Sequence, residues 1–173
     1  MALSLYDISI PSYLQGLGAV AGFLEKGRAH CAEQGADPEA LVATAIHADM
    51  LPLRFQLGSV RQHSLGTIEG IRSGRFAPWP MSAMPDSCAG LQEMIAEAAA
   101  ALEAVDRAEI DALEGGRLVF EVQGRELPFT AENFVLSFSL PNFYFHAATA
   151  YDILRMKGAP LGKRDFMGRM RMG

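Results

Sequence analysis

The sequence predicts an all-α fold, a four-helix bundle with one small β-hairpin inserted before the last helix. Three observations carry this. Four segments place apolar side chains at steps of three and four residues, the spacing of one helix face. A single stretch, about 117–130, switches to a period of two. No other stretch of the 173 residues reads as strand, so the strand–helix alternation of a parallel sheet is excluded.

The first helix is expected from about Ser12 to Gln34, with Leu14, Leu17, Ala21 and Leu24 on its stripe. Pro11 and Ser12 mark its start and Gly35 its stop. Asp37-Pro38-Glu39 then opens a short helix, with Asp at the cap and Pro at the first position. The second long helix is expected from Leu51 to Ser73, on Leu53, Leu57, Val60, Ser64, Thr67 and Ile71. Gly58, Gly66 and Gly70 lower its propensity and point to a closely packed neighbour. Gly74 to Cys88 holds three prolines (78, 80 and 85) and Trp79, and reads as a long loop packed by its aromatic residues.

Ser87 caps the third helix, Ala89 to Val105, built on Leu91, Ile95, Ala98, Leu102 and Val105 with Glu93 and Glu97 outside. Asp106 opens a further turn to Leu113, ended by Gly115-Gly116. Leu118, Phe120 and Val122 then alternate with Val119, Glu121 and Gln123, and Gln123-Gly124 turns the chain into Arg125 to Thr130. A lone hairpin is marginal, so this one must lean on a helix layer or a further strand. The fourth helix starts between Ala131 and Pro141 and ends near Gly158, with Phe143, His146, Ala147, Ala150, Ile153 and Leu154 on one face. Residues 159–173 read as an extended tail that Phe166 can anchor, and residues 1–173 as one domain.

Composition narrows the function classes. Fifteen Lys+Arg against 20 Asp+Glu give a net charge of −5, which argues against nucleic acid as a partner, because phosphate contacts drive that affinity. No window reaches the 18 or so uncharged apolar residues of a spanning helix, and the N-terminus lacks a basic region before an apolar one. The chain is therefore expected to be cytoplasmic and without a membrane partner. Cys31 and Cys88 form neither a disulfide framework nor a metal knuckle, which fits a reducing compartment. Charge is uneven: Asp86 to Glu114 carries eight acids and Arg107, whereas Lys157 to Gly173 carries five bases and Asp165. These runs read as a solvated acidic face and a basic tail, or as a tail that docks on an acidic surface.

No phosphate loop, dinucleotide fingerprint, HExxH or nucleophile elbow is present. Neither cysteine has a histidine or base at a motif spacing. His30, near the end of the first helix, suits the dipole there, and His47 belongs to a surface loop. His63 and His146 are the candidate ligand-binding residues, with Tyr151 beside them. Each imidazole lies mid-helix on an apolar stripe, and two that face one cavity can bind a small ligand or hold a divalent metal such as Zn or Ni. A catalytic metal site usually takes three protein ligands, and Ala150 stands where a third would lie.

The run from Leu140-Pro-Asn-Phe-Tyr-Phe-His to Leu154-Arg155, with Leu161-Gly-Lys-Arg-Asp-Phe-Met-Gly, resembles the signature of a bacterial uncharacterised-protein family of the DinB/YfiT-like superfamily. Leu5 to Leu17 and Asp49-Met-Leu-Pro-Leu to Gln62 are similar too. The resemblance implies a DinB-like bundle, up-down-down-up and commonly dimeric. In better-known members one histidine of the second helix and an HxxxH pair of the last hold a metal. His63 matches the first and His146 the second, while Ala150 occupies the third position. Two readings follow: a homodimer with an inter-helix pocket for a small ligand, or a variant metal-dependent enzyme, thiol transferase or hydrolase-like, using His63 and His146.

Overall fold

Residues 3–172 are described by a computed structural model. Helix α1 (Leu5–Glu33) begins well before Ser12, because its N-terminus is capped by acids. Ser4 Oγ accepts from the Asp7 N–H, and Asp7 Oδ2 accepts from the Ser4 N–H, each at 3.3 Å. Glu114 takes the Leu5 N–H and Asp111 the Tyr6 N–H, each at 3.0 Å. Four main-chain donors that a helix start leaves open are thereby satisfied. The Arg107 guanidinium, 2.7 Å from Asp7, holds that carboxyl down to about 2. Part of the acidic run is thus spent on α1 rather than on solvent. Pro11 lies inside the helix and forfeits one bond, while Ile10 and Tyr13 beside it are fully buried, so packing outweighs propensity. The buried stripe is Ile10, Tyr13, Leu17, Val20, Leu24 and Gly27; the expected Leu14 and Ala21 lie at its margin.

After a turn at Pro38–Leu41 capped by Asp37, the expected second helix comes as two. Helix α2 (Leu53–Gln62) and helix α3 (Leu65–Ser73) are separated by a break at His63-Ser64. Ser64 Oγ donates to the Val60 carbonyl at 2.7 Å and offers the backbone an alternative to the helical ladder. The whole stripe from Leu53 to Ile71 is buried across the break. Gly58 leaves room for the Met84 side chain. Gly74, at φ +73°, ends α3 and turns the chain into β1 (Arg75–Phe76). This segment, expected to be loop only, pairs parallel to β2 (Arg117–Val122).

Helix α4 (Cys88–Glu103) starts at the Ser87 cap and α5 (Arg107–Asp111) at the Asp106 cap, with Leu91, Ile95, Ala98 and Leu102 in the core. The hairpin of β2 with β3 (Arg125–Thr130) pairs Arg117 with Thr130 and Val122 with Arg125. Its turn residues Gln123 and Gly124 both have positive φ, 51° and 74°, as a type I′ turn requires. Gln123→Asn is expected to raise stability by about 0.5 kcal/mol, because Asn tolerates that region better. Chemical denaturation checks it, with no gain as the contrary result.

Helix α6 (Ala131–Phe134), a π-helical turn (Val135–Ser139) and α7 (Leu140–Met156) form one continuous stretch. Pro141 has no N–H to give to the preceding turn, and the widened turn stands where that bond is missing. The inserted residue re-phases the helix, so Ser139, Phe143, Ala147, Ala150 and Leu154 all face inward. Phe76, Phe120, Phe134 and Phe138 pack the sheet onto this stretch, with ring centroids 4.7–5.6 Å apart along the chain of contacts. The tail is not wholly extended, since it forms α8 (Lys163–Met167) on α1. Phe166 anchors it edge-on to Tyr151, and the one acid of the tail, Asp165, pairs with Lys26 at 2.5 Å. The docking therefore uses the tail's acid and its aromatic ring.

Helix α1 packs against α4 and α7, and α2 against the same two helices, enclosing the core. The described residues are mostly helical, with one three-stranded sheet in the order β1-β2-β3. Among the described residues no helix is long and apolar enough to cross a membrane.

Candidate functional site

His63 caps the C-terminus of α2, at the break rather than in mid-helix, and His146 projects from α7. Packing of α2 on α7 brings the two rings to 5.9 Å between centroids, 11° from parallel. Phe76 and Phe138 flank His63 at 5.6 and 5.4 Å. Phe55 and Phe145 meet His146 edge-on at 5.8 and 5.2 Å. His63 is only 8% exposed and His146 is half-buried.

Gln56, buried on α2 two turns before His63, fixes the state of His146. Its Nε2 donates to the Leu51 carbonyl at 2.7 Å, which directs Oε1 to His146 Nδ1 at 2.8 Å. An amide oxygen only accepts, so His146 carries its proton on Nδ1 and a lone pair on Nε2. Burial pushes His146 down to about 4, and burial followed by the neighbouring His146 pushes His63 down to about 3. Both imidazoles are neutral at ordinary pH. Of their four ring nitrogens, only His63 Nδ1 is both buried and without a hydrogen-bond partner among the described residues. The sequence signal for Gln56 was a polar residue on the α2 core face, in phase with His63.

Tyr151 is not part of this pair. It stands edge-on between Phe23 and Phe166, at 5.9 Å from each, and lines an apolar hollow of about 220 Å³ with Ala148, Lys163 and Phe166. A larger hollow of about 350 Å³ lies between α4 and Trp79, whose ring sits 5.1 Å from the Arg61 guanidinium. Ala150 is fully buried in the core. Among the described residues no three His, Cys, Asp or Glu side chains come together as a metal set. The donors for a metal stop at His63 and His146, so these residues do not fit a three-ligand centre. His47 is exposed and pairs with Asp49 at 2.5 Å. Cys88 is buried, its thiol facing the Pro38 carbonyl at 3.1 Å, and burial pushes it up to about 11, the wrong direction for a nucleophile.

A neutral imidazole pair walled by phenylalanines can accept a hydrogen bond through His146 Nε2 beside an apolar surface. It carries no charge to attract an anion. The fold is similar to the crystal structure of a DinB family member from Shewanella denitrificans, with a TM-score of 0.79 and 24% identity. That likeness covers 98% of this chain and 94% of the other. No curated protein matches the sequence. Residues 5–167 match the domain of unknown function DUF1993, and the chain belongs to that family.

Proposed function

We propose that this DinB-like protein binds a small neutral ligand at the imidazole pair, as a homodimer and without a resident metal. The ligand class is an aromatic or apolar molecule bearing an O–H or N–H donor. The single observation that carries this is the Gln56-fixed tautomer of His146, which leaves an accepting nitrogen on a ring that Phe55 and Phe145 meet edge-on. The four helical stretches α1, α2–α3, α4 and α6–α7 form an up-down-down-up bundle in this reading. The homodimer is supported by Leu136, Tyr144 and Phe145, which are 53%, 45% and 58% exposed on the last stretch. Light scattering is expected to give twice the chain mass, and a strictly monomeric mass contradicts the dimer.

Phenol is the probe for the ligand. Its titration is expected to shift the His146 ring resonances saturably, and toluene, which lacks the donor, to leave them in place. Equal responses to both overturn the reading. So does stoichiometric zinc or nickel in untagged protein that His63→Ala or His146→Ala removes, because the chain would then be a metalloprotein.

A further inference from the structure

Two irregularities of the fold face each other, the break between α2 and α3 and the π-helical turn before α7, and one hydroxyl joins them. Ser139 Oγ, the last residue of the π turn, lies 2.7 Å from the His63 carbonyl, 2.7 Å from Tyr13 Oη and 2.6 Å from Thr67 Oγ1. Tyr13, Thr67 and Ser139 are all fully buried. A carbonyl only accepts, so the single Ser139 proton goes to His63, and Tyr13 and Thr67 must both donate to Ser139. Every polar atom of the cluster is then satisfied in one arrangement, and three separate elements converge on it.

We infer that Ser139 is a positioning residue for His63: its hydroxyl, held by Tyr13 and Thr67, pins the His63 carbonyl at the break and so sets the imidazole against His146. At the break the His63 N–H still donates to the Ser59 carbonyl at 2.8 Å, but the Thr67 N–H turns to the Ser64 carbonyl at 3.1 Å, so the His63 carbonyl is left out of the ladder. That carbonyl is held from another element, and the ring orientation depends on that hold. The π turn supplies the geometry, since the inserted residue rotates Ser139 inward to a place a regular helix would give to a different side chain. The importance of this placement rests on the reading of the imidazole pair as the recognition group.

The test is made without ligand, by NMR cross-peaks from the His63 ring to the His146 and Phe138 rings. Ser139→Ala is expected to reduce these by more than about half, because a carbonyl released at the break lets the ring reorient. Thr67→Val removes one donor to Ser139 but keeps the Ser139–His63 bond, and is expected to leave the cross-peaks intact while lowering stability. A purely structural role for the cluster would make the two variants alike. If Ser139→Ala does not fold, Ser139→Cys, close in shape but a weak donor, gives the same comparison. Intact cross-peaks in the serine variant, or equal losses in both, overturn the proposal. A failure of phenol to bind would leave this result unaffected, so the two proposals fail separately.

Discussion

Moving the protein from about pH 7.5 to about pH 5 is expected to cost about 2 kcal/mol of stability through His63 alone. The sign follows from proton binding. The folded state holds His63 well below its ordinary 6.5, down to about 3, so between those values the unfolded chain binds a proton that the folded chain refuses. Stability is full above the unfolded value and falls as pH drops through 6.5 toward the folded value. His146 adds to this in the same direction, by less than its shift implies because the ring is partly reached by solvent. The groups packed on the pair, Gln56, Phe55, Phe76, Phe138 and Phe145, carry no charge that would compensate. Asp7 loses its own contribution only as pH falls from about 4 toward its lowered value of about 2, a separate window. Urea melts at the two pH values check this. His63→Phe, neutral in both states, is expected to flatten the slope by about 2 kcal/mol, and an unchanged slope contradicts the burial of His63.

Phe143→Ala is expected to cost about 3–5 kcal/mol, the usual range for removing a buried ring from a core. Phe143 is fully buried, stands edge-on to Tyr13 at 5.4 Å and fills the space above Gly16. A methyl at Gly16 would run into the Phe143 ring, so Gly16→Ala alone is expected to cost about 1–3 kcal/mol through overpacking. In the Phe143→Ala background that methyl enters the vacated space, and the double variant is expected to be more stable than the sum of the two losses. Strict additivity in denaturant unfolding would mean that α1 and α7 do not meet at this point.

Much of the fold is written locally. Ser87 and Asp106 cap helices, and Gln123-Gly124 turns the hairpin, because each acts through its own neighbours in sequence. The stripe from Leu53 to Ile71 was legible even though the helix breaks at His63, since burial follows the phase and not the continuity of the ladder. What stayed hidden depends on distant partners. Helix α1 starts at Leu5 on the local Ser4–Asp7 box together with Asp111 and Glu114, and only the second pair comes from far along the chain; β1 exists only because β2 lies beside it. The π turn is a one-residue insertion that a period of 3.6 does not reveal over so short a run.

The candidate site divides in the same way. His63 and His146 were placed together by the pairing of two apolar stripes, which is a consequence of helix packing. Tyr151 lies near them in sequence but not on their face, because five residues along a helix turn a side chain by about 140°, and it faces α1 and α8 instead. Gln56 and Ser139 carry no motif. Their roles come from a single oxygen atom each, aimed by the tertiary structure at one histidine.

The most direct test of the imidazole pair is a wild-type NMR titration of the histidine Cε1 protons, read together with ring-to-ring cross-peaks. His63 and His146 are expected to remain neutral down to about pH 5 and to show mutual cross-peaks, as their centroid separation of 5.9 Å requires. Two rings that both take up protons near 6.5 and share no cross-peak would place them in solvent and apart, and the site built on them would be gone.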